Sequence, residues 1–244
     1  MEFPFKLFLS NSRPAADFPT FPEQKIKSPI LGTPFTTEVL KILAADSNAK
    51  IKNKIISVNP NASYTIRGRK DYRVEFINMT HSTIQSAIIA VHTPEGIVIY
   101  ANDYKLDNSP VYGEPPNYKR LKELSKIGIK VLIVDCLYAP DDRKTPSEKI
   151  AKGLLEDVLF TTENKNSGII ITTFSSHIAR LKTITEFGKR LGREVVFLGR
   201  SLNKYVTAAK NIGRCPFIDQ FRMSSYRKQL EKALKRINKN KKQY

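Results

Sequence analysis

Between residues 117 and 213, short apolar runs alternate with amphipathic stretches, and this alternation is the strongest constraint on the fold. Residues 117–127 read as a helix, 131–134 as a strand and 146 to about 160 as a helix. Residues 168–174 read as a β-branched strand, 175–191 as a helix, 194–198 as a strand and 201–212 as a helix. Parallel neighbours cannot be joined by a tight hairpin, so this succession requires crossover helices over a mostly parallel sheet. The punctuation agrees. Thr145-Pro146-Ser147-Glu148 has the form of a capping box with proline at its first helical position. Ser175 and Ser176 offer caps to the next helix, and Gly192 and Gly213 close two helices.

Upstream the period changes. Residues 50–104 carry strand signals at 51–58, 72–77, 86–92 and 96–100 and read as a β-meander. The turn Thr93-Pro94-Glu95-Gly96 sets proline second and glycine fourth, the favoured order for a tight turn. A short helix over 36–45 precedes them, with Val39, Leu40 and Leu43 as its apolar stripe. Residues 1–27, broken by Pro4, Pro14, Pro19 and Pro22, read as an irregular start without the basic region of a signal peptide.

Charge and composition narrow the partners. The chain has 244 residues with 41 Lys+Arg against 23 Asp+Glu, a formal charge of +18 that suits a polyanion. The last stretch, 226–244, reads as a helix with Leu230, Ala233, Leu234 and Ile237 on one face. Its eight Lys/Arg make either a solvated basic face or a direct nucleic-acid contact. Two cysteines exclude a disulfide framework and a four-cysteine zinc site. No apolar run reaches the roughly 18 residues of a membrane span, so the expectation is a cytoplasmic protein with no membrane partner.

Three polar groups follow apolar strands, where open sheets place their sites. His81 follows Phe76-Ile77-Asn78-Met79-Thr80. Asp103 follows Val98-Ile99-Tyr100-Ala101-Asn102 and needs a cationic partner, either Lys105 or a metal. Asp135 follows Val131–Val134. His92 sits inside a hairpin and reads as structural.

Taken in order, these segments resemble a known family. Thr80-His81-Ser82, His92-Thr93-Pro94-Glu95-Gly96 and Asn102-Asp103-Tyr104-Lys105-Leu106-Asp107 are similar to the metallo-β-lactamase half of archaeal ribonuclease J. Lys144-Thr145-Pro146-Ser147-Glu148, the run from Thr173 to Leu181, and Leu198-Gly199-Arg200-Ser201 resemble its β-CASP half. The resemblance implies an α/β chain: a partial metallo-β-lactamase sandwich over 28–138, a β-CASP α/β domain over 139–225 and a basic helix over 226–244. It implies a zinc-dependent ribonuclease acting on RNA phosphodiester bonds. His81 and Asp103 match metal ligands, and Asp135 matches an acid that orients a histidine at the catalytic centre. Ser175, Ser176, His177 and Arg180 match the start of a helix facing RNA, with Arg200 and Ser201 as a second such place. Arg180 either grips phosphate or pairs with an acid such as Glu186 or Asp157.

The family's His-x-His-x-Asp-His signature is not matched. The corresponding stretch, from Leu9 to Asp17, contains no histidine. The Gly-His segments that follow the basic helix in the family are not matched either. The whole sequence has three histidines, His81, His92 and His177, whereas a dinuclear zinc site needs about five converging N/O ligands. The expectation is therefore a ribonuclease J-like chain with an incomplete zinc site, inactive alone. A complementary chain or a second copy would then be its partner. The alternative is an RNA-binding pseudoenzyme. A nucleotide-binding α/β protein is disfavoured, because no glycine-rich phosphate loop is present.

Overall fold

A computed structural model describes residues 28–68 and 70–244; the start read over 1–27 lies outside the described residues. Two compact units result, one ending at Thr145 and the other beginning at Pro146.

The first unit is built on a five-stranded sheet. Its strands are β3 (Ala62–Ile66), β4 (Tyr72–Asn78), β5 (Ala87–Thr93), β6 (Gly96–Ala101) and β7 (Ile129–Val134), neighbours in that order. The first four form an antiparallel meander, and β7 joins β6 in parallel. That parallel step is made through α2 (Tyr118–Ile127), whose amino end is capped by the Asn117 side chain accepting from the Arg120 amide. The hairpin between β5 and β6 closes with Thr93 Oγ1 donating to the Gly96 carbonyl. Gly96 has φ +132°, a conformation that favours glycine, and a Cβ there would also crowd Lys130 at 3.1 Å.

Alternation along the strands gives the sheet two apolar faces. Ile77, Ile88, Ala90, Ile97 and Ile99 face Leu124 of α2. Val74, Phe76, Ile89 and Val91 pack with Leu31 and Val58. Leu31 belongs to β1 (Ile30–Gly32), which pairs in parallel with β2 (Ile55–Ser57) across α1 (Pro34–Asp46). Strand β7 differs from the rest. All six of its residues are exposed, with β6 as its one strand neighbour among the described residues.

In the second unit α3 (Glu148–Thr161) packs on α4 (Ile178–Arg190), and α5 (Arg200–Asn211) links two short parallel strands, β8 (Val196–Leu198) and β9 (Arg222–Ser224). Helix α6 (Arg227–Lys239) follows. The Arg190 guanidinium lies over the rings of Phe160 and Phe187, 4.5 and 5.3 Å from their centroids, and staples the ends of α3 and α4.

Three sequence expectations are corrected. Residues 168–174 form no strand: Ile169 donates one backbone bond to the Tyr244 carbonyl, while Ile170 is 92% exposed. Strand propensity is realised only against a partner's ladder, and no described strand lies beside this segment. The capping box does not form from Thr145. Ser147 is the N-cap, accepting from the Lys149 amide, and Glu148 turns elsewhere. Ser175 and Ser176 lie in a turn, and His177 occupies the N-cap position of α4.

Candidate functional site

Strand β5 runs against β4 and β6, and β7 runs with β6, so the carboxyl ends of β4, β6 and β7 lie at one end of the sheet. His81, Asp103 and Asp135 all leave the sheet there. The loops after β4 and β6 are joined through Thr80 and Lys105: the Lys105 amide donates to the Thr80 carbonyl at 2.8 Å, and the Thr80 hydroxyl donates back to the Lys105 carbonyl. The Asp107 amide donates to the same Thr80 hydroxyl at 3.1 Å. This clasp fixes the backbone beside His81 and Asp103. Lys105 lies 3.7 Å from the buried Asp107 carboxylate. His81 Nδ1 is 3.1 Å from the Ser82 hydroxyl.

Asp135 is tied to the sheet by its amide, which donates to the Ala101 carbonyl. Its exposed carboxylate accepts from the Leu137 amide at 3.1 Å and so turns the chain after β7. Among the described residues no three of His, Cys, Asp and Glu converge as a metal site would need. The sheet-end residues therefore do not by themselves fit a dinuclear zinc.

The second constellation is at the start of α4. Arg180 donates from Nε and Nη2 to the two oxygens of Glu148, at 2.5 and 2.8 Å. His177 Nε2 lies 3.3 Å from the same carboxylate. Burial works to raise the Glu148 pKa, and the hydrogen bonds from Arg180 and His177 outweigh it, holding the carboxyl down at about 2. His177 Nδ1 is buried and has no hydrogen-bond partner among the described residues. Ser175 and Ser176 are half-buried beside it. The fork of Arg180 is thus directed at Glu148, an acid other than the two its sequence context suggested.

Arg200 and Ser201 open α5 after Gly199 and are both exposed. Helix α6 exposes Lys228, Lys232, Lys235 and Lys239, with Glu231 the one acid in its span. Arg236 instead leans on Glu194 at 3.6 Å.

Sequence reasoning missed two buried acids that organise these regions. Glu148 has the sequence signature of a cap residue; its other partners, His177 and Arg180, lie about thirty residues downstream, and nothing local connects them to it. Glu75 on β4 accepts from Arg120 at 2.5 and 3.0 Å and faces His92 Nε2 at 3.0 Å. Burial raises its pKa, but Arg120 and His92 hold it below the ordinary carboxylate range. His92 is accordingly a structural partner of Glu75, and the Arg120–Glu75 pair ties α2 to the sheet.

Comparison with known proteins places this arrangement. The family profile described as the ribonuclease J β-CASP domain matches residues 166–235, within the second unit. Ribonuclease J of Pyrococcus abyssi is 44% identical over 186 residues, covering 76% of this chain and 41% of that one. Ribonuclease J of Methanocaldococcus jannaschii is 38% identical over 214 residues, covering 87% of this chain and 47% of that one. The chain belongs to the ribonuclease J family. This ribonuclease J-like chain spans under half the length of those curated relatives. A crystal structure of a protein of unknown function from Enterococcus faecalis V583 shares the α/β fold, with a TM-score of 0.53 at 16% identity, over 83% of this chain and 51% of that one. No described helix of the ribonuclease J-like chain is long and apolar enough to cross a membrane.

Proposed function

We propose that this chain binds single-stranded RNA through its β-CASP unit, as part of a cytoplasmic ribonuclease of the ribonuclease J type that hydrolyses RNA phosphodiester bonds. In this reading the first unit is a metallo-β-lactamase part of such an enzyme. The β-CASP match carries the proposal, and the chemistry of the matched unit supports it. An RNA backbone is a chain of anions, and lysines exposed on one helix neutralise several phosphates and release their counterions. The exposed α6 lysines, the hydroxyls of Ser175 and Ser176, His177, and Arg200 with Ser201 are the contacts proposed. Arg180 serves this surface through Glu148, which holds the start of α4 rigid. His81, Asp103 and Asp135 act as part of a metal and catalytic set whose remaining ligands come from other residues, such as those of a complementary chain. The sequence's three histidines favour this division of labour over a self-sufficient nuclease.

The test is binding of a labelled, unstructured RNA across a salt series, with cleavage followed in parallel in the presence of zinc. Salt-sensitive binding without cleavage supports the reading. Absence of binding at low salt removes the RNA assignment. Cleavage by the purified chain alone, with two zinc ions retained after dialysis, removes the incomplete-site assignment.

A further inference from the structure

One carboxylate of the second unit stands between two arginines that come from different elements. Glu194, two residues before β8, has Arg222 of β9 against its Oε1 and Arg236 of α6 3.6 Å from its Oε2. Oε1 is buried and accepts no hydrogen bond, so Arg222 meets it as a charge and not as an aligned donor. Glu194 does not depend on the arginines for its place. Its amide donates to the Gln243 carbonyl at 2.7 Å, and Oε2 accepts from the Gln243 side-chain amide at 3.3 Å. Burial divides the three unequally. The Glu194 side chain is 17% exposed, against 56% for Arg222 and 48% for Arg236. The acid is anchored in the fold, while both guanidinium groups stand at its surface.

Ion pairs with half-exposed arginines hold weakly, so an outside anion can replace the carboxylate at little cost. A phosphodiester offers the arginines what the carboxylate offers them, two adjacent anionic oxygens that suit a guanidinium fork. Arg236 lies one helical turn from Lys232 and from Lys239, on the margin of the α6 row that also holds Lys228 and Lys235.

We propose that Arg222 and Arg236 form a phosphate clip for single-stranded RNA, which Glu194 occupies in the free chain and yields when RNA binds. The inference rests on the RNA reading above and adds to it a site outside the α6 lysines and the start of α4. A strand that follows the α6 row passes Arg236 and meets Arg222 at the same carboxylate. In the free chain Glu194 gathers the two guanidinium groups around one small anion, so less ordering remains when a phosphate takes its place. The exchange favours a strand over a lone phosphate ion, because a strand already held by the lysines presents its next phosphate at high effective concentration. Glu194 keeps Gln243 when the arginines turn away.

Fluorescence anisotropy of a labelled, unstructured RNA across a salt series tests this, with circular dichroism as the control for fold. Arg222→Ala and Arg236→Ala should each flatten the slope of log affinity against log salt by about 0.7, and together by about 1.4, since each removes one phosphate contact. Glu194→Gln should raise affinity by at least about twofold at unchanged slope, because the same phosphates are bound with no carboxylate to displace. That variant reads the exchange with both arginines in place, should an alanine variant unfold. If the arginines stay with Glu194 in the complex, the pattern reverses: the alanine variants keep the wild-type slope, and Glu194→Gln steepens it by about 1.4. That reversal, or wild-type slope and affinity in all the variants, overturns the clip while the RNA reading stands. A wild-type chain that binds no RNA at low salt overturns both.

Discussion

Both oxygens of the Glu148 carboxylate are held by the guanidinium of Arg180, thirty-two residues further along the chain, at 2.5 and 2.8 Å. The pair joins the first turn of α3 to the first turn of α4, and His177 completes it. A two-pronged contact of this kind fixes angle as well as distance, and lysine could not reproduce it.

Removing Arg180 leaves the Glu148 carboxylate with His177 as its remaining side-chain partner at this contact. Arg180→Ala should cost on the order of 1–3 kcal/mol of unfolding free energy, and Glu148→Gln in the same chain should restore part of it. Urea unfolding monitored by circular dichroism measures both. The dependence of RNA affinity on salt should hardly change in Arg180→Ala at temperatures where it stays folded. A shallower salt slope with unchanged stability would make Arg180 a phosphate ligand instead.

Acid should dissolve the same contact. With its pKa held at about 2 in the folded chain against an ordinary 4.5, Glu148 contributes its full stabilisation above pH 4.5 and loses it as pH falls toward 2. The unfolded chain binds the extra proton, so stability falls on acidification. Glu148→Gln should flatten that stretch of the stability–pH curve, as followed by chemical denaturation at a series of pH values.

Exposed lysines give the opposite signature. Lys228, Lys232 and Lys235 replaced together by alanine should reduce the slope of log affinity against log salt by about 2 for single-stranded RNA. Melting should stay within about 0.5 kcal/mol per site, because these side chains are exposed. Fluorescence anisotropy over a salt series separates this from a loss of fold.

Gly188 offers a test of packing. It lies inside α4, where alanine is the better helix former by up to about 1 kcal/mol. A Cβ there would nevertheless overlap the Val195 side chain. Gly188→Ala should therefore destabilise the chain, and adding Val195→Ala should relieve the clash, both read from urea midpoints.

Much of the architecture was legible because local signals and tertiary packing agree. The 3.6-residue period of 117–127, the proline-glycine turn at 93–96 and the alternation of 72–77 each match an element within a residue or two. That His81, Asp103 and Asp135 follow strands was legible for the same reason, since apolar runs stop just before each of them. What stayed hidden depends on distant partners. Residues 168–174 have the composition of a buried strand and adopt none, because a strand exists only where a neighbour completes its ladder. Strands β1, β3 and β9 have three, five and three residues, too short for periodicity to register. The pairing of Glu148 with Arg180 follows from how α3 meets α4, which no spacing in the chain encodes.

The bare flank of β7 also changes what heat does to this protein. As chains loosen, Val131, Leu132 and Ile133 can be captured by whichever extended apolar segment they meet first, including Ile169-Ile170-Ile171 of a neighbouring molecule. Thermal unfolding would then be a one-way process, governed by the speed of opening rather than by an equilibrium. The apparent midpoint should rise with faster heating and fall with higher protein concentration, and cooled samples should not regain their starting signal.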